Sequence, residues 1–279
     1  MYRRHFSLEN DGSANDRETK TLEREIKLAR NIQTQLLNGH EPTVENSSVT
    51  GLSIPARLIG GDYYDFYVLP NGKLRIIIGD VMGKGIPAAM LMILTRGAFR
   101  SAAESTKGPG ETLTAMNSAM YEDLRKLSSF VTVLCADWDP ATKELTYANA
   151  GHTLPIIVHP ENLLGDPPKA KGVMLGGLPN TVYKEESLYL KEEDLVCFYT
   201  DGITEAQNKA GELYRLDRLN DCLLSNCNQG IDVKDIEECI TRSISEFTGD
   251  CAQRDDITMV LLKVNHDQTD ITSYNSPVI

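Results

Sequence analysis

Apolar positions along the chain fall into short runs broken by polar, glycine- and proline-containing stretches. Between residues 51 and 264, runs rich in Val, Ile, Leu, Phe and Tyr predict strands over 53–58, 65–69, 74–79, 130–138, 144–149, 155–159, 182–190, 194–200 and 256–264. Longer segments with a helical period predict helices over 86–104, 110–127, 212–225 and 232–247. Asn71-Gly72 is a hairpin signal, Asp139-Pro140-Ala141-Thr142-Lys143 reads as a turn, and Pro87 suits the first turn of its helix. Strands dominate, hairpins join many of them, and the helices come in pairs. That order predicts an α+β fold, with antiparallel sheets under helical layers rather than a repeating βαβ unit.

Upstream, Leu22, Ile26, Ala29, Ile32 and Leu36 recur at steps of 4, 3, 3 and 4 and predict a helix over 18–37 with one apolar stripe. A helix this short needs cover, from its own domain or from a second copy. Residues 38–50, with Gly39, Pro42 and Ser47-Ser48, read as a connector. The chain thus divides into a disordered 1–17, a linker helix and connector at 18–50, one domain at 51–264 and a flexible tail at 265–279.

Composition narrows the function. The 279 residues carry a formal net charge of −12, which argues against a protein that binds nucleic acid through a basic surface. No apolar run approaches the ~20 residues that span a bilayer, and the N-terminus lacks the apolar core of a signal peptide, so a cytoplasmic protein without membrane contact is expected. The six cysteines form no CxxC pair and none opens the CxxxxxR loop of cysteine-dependent phosphatases; they read as free thiols in a reducing compartment.

The aspartates are placed with more pattern. Gly60-Gly61-Asp62-Tyr63-Tyr64-Asp65 precedes a strand, Ile76-Ile77-Ile78-Gly79-Asp80 ends one, Val196-Cys197-Phe198-Tyr199-Thr200-Asp201-Gly202 ends another, and Asp255-Asp256 begins a fourth. Singly, each reads equally well as a turn. Together, with only His5, His40, His152, His159 and His266 to compete, they point to an all-oxygen metal site rather than a histidine-rich zinc centre. Converging carboxylates repel and hold protons, which hard divalent cations relieve. Two such ions ~3.5–4 Å apart can activate a bridging water and polarise a phosphoryl group.

These residues carry a resemblance. Gly60 to Asp65, Gly79-Asp80-Val81-Met82-Gly83-Lys84-Gly85-Ile86-Pro87-Ala88-Ala89, Tyr147-Ala148-Asn149-Ala150-Gly151-His152, Thr200-Asp201-Gly202-Ile203-Thr204-Glu205 and Asp255-Asp256-Ile257-Thr258 stand in the order found in the SpoIIE/RsbU-type branch of the metal-dependent (PPM) serine/threonine protein phosphatases. Leu28 to Leu37 is similar to the linker that precedes the domain in that branch. The resemblance implies an αββα sandwich, two antiparallel sheets flanked by helix pairs. It implies Mn²⁺ or Mg²⁺, two per active site, with Asp80 bridging, Asp201 and Asp255 on one ion, Asp62 on the other and the Val81 carbonyl as a further ligand. Asp256 is expected as a ligand of a looser ion or as support, and Asp65 as support. The implied reaction is hydrolysis of phosphoserine or phosphothreonine by a metal-activated bridging water. The implied substrate is a phosphorylated STAS-domain (anti-anti-sigma) protein of a bacterial partner-switching pathway. The helix at 18–37 is expected to serve self-association or an upstream regulator.

Several readings stay open. Lys84 stands where part of the wider family has a histidine; its ordinary pKa near ~10.4 is too high for an acid at neutral pH, leaving a phosphate contact or a solvated, supporting side chain. Arg57 is either a phosphate-binding guanidinium or an exposed strand residue, and Arg57, Lys84 and Arg96 are candidates for a local basic patch. His152 reads as a turn residue rather than a catalytic one. Gly83-Lys84-Gly85-Ile86-Pro87-Ala88 fits a dinucleotide fingerprint, but a second helix follows where a parallel strand is required. The alternative function is an inactive phosphatase-fold domain that binds a partner.

Overall fold

The computed structural model describes residues 11–37, 41–161, 163–226 and 230–266. Helix α1 (Asp11–Leu37) precedes strands β1 (Ser47–Ile54), β2 (Tyr63–Val68) and β3 (Leu74–Val81). Helices α2 (Ile86–Ala103) and α3 (Pro109–Lys126) follow, then β4 (Val131–Asp139), β5 (Glu144–Ala150), β6 (Ile156–His159), β7 (Leu163–Gly165), β8 (Glu185–Tyr189) and β9 (Leu195–Tyr199). The short α4 (Asp201–Thr204), α5 (Arg215–Asn226), α6 (Val233–Thr248) and β10 (Ile257–Val264) complete the order.

The strands form two five-stranded sheets, ordered β2-β3-β4-β5-β8 and β1-β10-β9-β6-β7, and every pairing within them is antiparallel. Phe66, Ile76, Ile78, Trp138, Phe198 and Val260 fill the space between the sheets. The opposite residues of β3 and β4, Ile77, Val133 and Cys135, meet Met92 and Phe99 of α2 and Met116 and Met120 of α3. On the other flank Cys197, Met259 and Leu261 meet Leu219 and Leu223 of α5 and Ile236, Ile240 and Ile244 of α6. The apolar spacing of each helix therefore sets which sheet it covers, and the layers run helix, sheet, sheet, helix. This is the α+β sandwich expected. The antiparallel partners of β3 and the α2–α3 succession exclude the dinucleotide reading.

Four differences have physical causes. Residues 11–17, expected to be disordered, continue α1, because a polar helical stretch has no apolar period to mark its start. β1 begins at Ser47, inside the stretch read as a connector, and ends at Ile54; Pro55 to Leu58, read as strand, lies in a bend. Ser47, Ser48, Thr50 and Gly51 break the hydrophobic signal there although the segment pairs with β10 along its whole length. The strand read over 182–190 is confined to Glu185–Tyr189. The expected apolar stripe of α1 packs only in part: Ile26 and Leu36 are half-buried and Leu22 and Ile32 more than half exposed, while Gln33 is buried and Leu37 packs on the α2–α3 core.

Of the tail, Asn265 is still held, its N–H donating to the Asn46 carbonyl, and residues 267–279 lie outside the described residues, as do 1–10 and Cys227. The remaining cysteines, at 135, 197, 222, 239 and 251, are free thiols, the first two buried. Among the described residues no helix is long and apolar enough to cross a membrane.

Candidate metal centre

Asp80 is the penultimate residue of β3, Asp62 immediately precedes β2, Asp201 follows β9 as the first residue of α4, and Asp255-Asp256 lead into β10. β2 and β3 belong to one sheet, β9 and β10 to the other, so the antiparallel arrangement brings these acids to one end of the sandwich. The sheets are tied together there: the Thr200 hydroxyl at the end of β9 donates to Asp62 Oδ2 at 2.8 Å.

The electrostatics record the crowding. Burial, then Asp201, Asp255 and Asp256, push the Asp80 carboxyl up to about 7. Burial and the neighbouring Asp80 push Asp62 well above the ordinary range, against the Thr258 and Thr200 hydroxyls, which favour its charged form. Asp201 is raised by burial and by Asp255, with Lys84 acting in the opposite direction. Carboxylates held protonated by one another are what a cation would relieve. As placed, no three acids among the described residues converge closely enough to hold an ion. Protein donors engage them instead, Thr200 on Asp62 and Lys84 on Asp255 at 2.7 Å. The donor set, all oxygen and anionic, fits Mg²⁺ or Mn²⁺ with several retained waters.

Of the two roles expected for Asp256, the contacts show support. Its carboxylate accepts from the backbone N–H groups of Ala56 (2.7 Å), Gly61 (2.6 Å) and Asp62 (3.3 Å), so it cradles the loop that carries Asp62. A Cβ on Gly60 would stand 2.5 Å from Asp256 Oδ2, which is why that position must be glycine. Val81 closes β3, and its carbonyl faces Gly61, where a Cβ would come within 3.2 Å.

Other expected residues sit elsewhere. Asp65 faces α2, away from the acids: it is buried, accepts from Tyr63 Oη at 2.7 Å and from Arg100 Nε at 2.7 Å, and supports β2. Arg96 donates to the Leu36 carbonyl and so belongs to the α1 contact, not to a basic patch at the site. Arg57 lies on the bend after β1, exposed, with its guanidinium beside Gly85 and sharing a cleft with Lys84. His152 is a half-buried residue of the loop after β5, its ring pushed down to about 4 by desolvation and therefore neutral at pH 7. Its N–H donates to Asn149 Oδ1, and its Nδ1 shares a hydrogen bond with Thr132 Oγ1 at 3.0 Å, on the strand beside Asp80.

Sequence reasoning missed Gln33. Its amide makes a paired contact with Gly60, donating to the carbonyl at 2.7 Å and accepting from the N–H at 3.2 Å, so α1 holds the loop next to Asp62. One glutamine in a helix rich in polar residues carries no signal of this. Gln33→Leu is expected to leave both Gly60 groups unpaired and to cost about 1–3 kcal/mol. A lower urea midpoint checks this; an unchanged one would mean that the loop does not depend on α1. Thr200 and Thr258 were inside quoted motifs but had no assigned role. A cavity of about 280 Å³ adjoins the acids, lined in part by Ile54, Gly202, Ala206, Ile244 and Asp255.

Comparison with known proteins gives this arrangement its context. The family model for Stage II sporulation protein E (SpoIIE) matches residues 70–265. Phosphoserine phosphatase RsbU of Bacillus subtilis (strain 168) is 32% identical over 196 residues, which cover 70% of this chain and 58% of RsbU. The chain thus spans little more than half the length of that relative. The SiaA-PP2C domain of Pseudomonas aeruginosa superposes with a TM-score of 0.76 at 22% identity, covering 90% of this chain and 99% of that one. The RsbU and RsbW domains of a Mycobacterium tuberculosis protein superpose with a TM-score of 0.67, also at 22% identity, over 81% of this chain and 62% of that one. A PP2C-type sandwich, acids gathered at one end of its sheets and a family match over most of the chain agree: the chain belongs to the SpoIIE family.

Proposed function

We propose that this chain hydrolyses phosphoserine or phosphothreonine in a protein substrate, using two divalent cations, Mn²⁺ or Mg²⁺. The observation that carries the reading is the meeting of Asp62, Asp80, Asp201 and Asp255 at one end of both sheets, with Asp80 held up to about 7. These four, with the Val81 carbonyl, would hold the ions. Bound there, the cations supply activation of water at neutral pH and charge stabilisation at the phosphoryl oxygens. Asp80 is raised by Asp201 and Asp255 and in turn raises Asp62, so its charge acts on the acids of both sheets. Thr200 orients Asp62, and Asp256 fixes the backbone before it. The exposed Arg57 guanidinium is suited to a bidentate contact with a phosphate oxygen pair.

The substrate proposed is a phosphorylated STAS-domain protein in a cytoplasmic partner-switching pathway. The likeness to RsbU supports this, and the free thiols are in keeping with a reducing compartment. An open metal site accepts many phosphomonoesters, so selectivity must come from docking away from the phosphate. The exposed Leu22, Leu28 and Ile32 of α1 support self-association, or docking of a regulator, through that helix.

The test is phosphate release from a folded phospho-STAS protein and from the phosphopeptide of the same site, with Mn²⁺ and with excess EDTA. Turnover is expected to need the added metal, to vanish in EDTA and to have a higher kcat/KM on the folded protein. Robust turnover in EDTA would overturn the metal reading. Equal efficiency on both substrates would remove docking, and no turnover on either would favour the inactive binding domain.

A further inference from the structure

Lys84 sits on the turn between β3 and α2, but its side chain reaches across to the approach to β10. Its Nζ stands 2.7 Å from Asp255 Oδ2 and also donates to the Arg254 carbonyl. The turn takes a left-handed backbone on either side of Lys84, which glycine allows. Gly83 and Gly85 flank Lys84 with φ of 102° and 73°, and nothing lies within 4 Å of where a Cβ on Gly83 would point. Lys84 and Asp255 keep 40% and 33% of their side-chain surface exposed, so breaking their ion pair strands neither charge in a dry interior.

We propose that Lys84 is a tethered counterion that competes with a divalent cation for Asp255 and thereby sets how tightly the site loads. The proposal rests on the metal-dependent reading above. Asp255 sits among carboxylates that destabilise one another, and the ammonium is the cationic side chain paired with it among the described residues. In keeping with that, Lys84 offsets the upward push that burial and Asp255 exert on Asp201. An incoming dication must displace the ammonium from Asp255 and is repelled by it until it leaves. A lysine suits this better than an arginine or a histidine. It is a compact point charge on a flexible four-carbon stem and makes no planar fork that would lock it in place. The pair also joins the β3–α2 turn to the segment before β10, so loading the site frees one from the other.

The test is calorimetric titration of the full chain with Mn²⁺, using wild type, Lys84→Met and Lys84→Arg. Lys84→Met keeps the length of the stem and removes the charge, and is expected to bind Mn²⁺ about tenfold more tightly. Lys84→Arg keeps the charge and adds the planar fork, and is expected to bind Mn²⁺ no more tightly than wild type. Unchanged or weaker binding by Lys84→Met overturns the proposal, as does binding by Lys84→Arg as tight as by Lys84→Met. Failure of wild type and variants alike to take up Mn²⁺ would remove the metal-dependent reading itself, and this proposal with it.

Discussion

Asp80→Asn is expected to reduce phosphatase turnover by more than about a hundredfold while leaving the sandwich folded. The loss should exceed what removal of a group behind a metal ligand costs, because Asp80 is assigned a direct contact to both ions. Stability should move the other way. Burial and three neighbouring carboxylates hold Asp80 up at about 7, so near neutral pH its charged form is unfavourable in the ion-free protein. Asparagine has the same shape without the charge, and the variant should melt no lower than wild type in the absence of metal. Paired measurements of kcat with Mn²⁺ and of the melting temperature without it separate the two effects. Wild-type turnover would show Asp80 to be a turn residue after all.

The largest stability effect is expected well away from the acids. Arg75 of β3 is fully buried, and its Nε and Nη2 each stand 2.7 Å from an oxygen of Asp137 on the adjacent β4. Its Nη1 donates to the hydroxyls of Thr106 and Thr112, at 2.8 Å each, which fastens the α2–α3 turn to the sheet. Asp137→Ala would leave a guanidinium buried without its counter-charge, at a cost of about 3–5 kcal/mol. The double variant Arg75→Met, Asp137→Leu should recover most of that, since no charge remains to be stranded. Denaturant midpoints with matching slopes test both. A small effect in the single variant would mean that water reaches Arg75.

Much of the architecture was legible because the core is built from regular alternation. The Asn71-Gly72 hairpin joins β2 and β3 as read, Pro87 lies in the first turn of α2, and the four long domain helices fall within a few residues of their expected spans. Arg75 and Asp137 were within predicted strands, but nothing local shows that residues so far apart in sequence face each other across a ladder. The site was legible in its acids, which occur in recognisable motifs, and less so in their roles. Asp65, read as a support, pairs with Arg100, and Asp256, read as a ligand or a support, is held by backbone amides. Gln33 and Lys84 act through contacts to distant segments, and a side chain's long-range partner leaves no trace in local periodicity.

The pairing of β1 with β10 governs when this protein can be made. Ser47 lies opposite Val264 and Ile54 opposite Ile257, and β10 is also the neighbour of β9. On a translating ribosome the sheet therefore stays split until the last strand has emerged. At about 5–20 residues per second, β1 waits roughly 10–40 s for its partner. Asp62 and Asp80 are synthesised early in that interval, and Asp255 arrives only at its end. Contacts so distant in sequence also slow the final closure. The nascent chain thus exposes open strand edges and an incomplete site until β10 has been made. Chaperone demand should fall on this interval, and no chain that stops short of Asp255 should have the complete set of acids with which to act on a substrate.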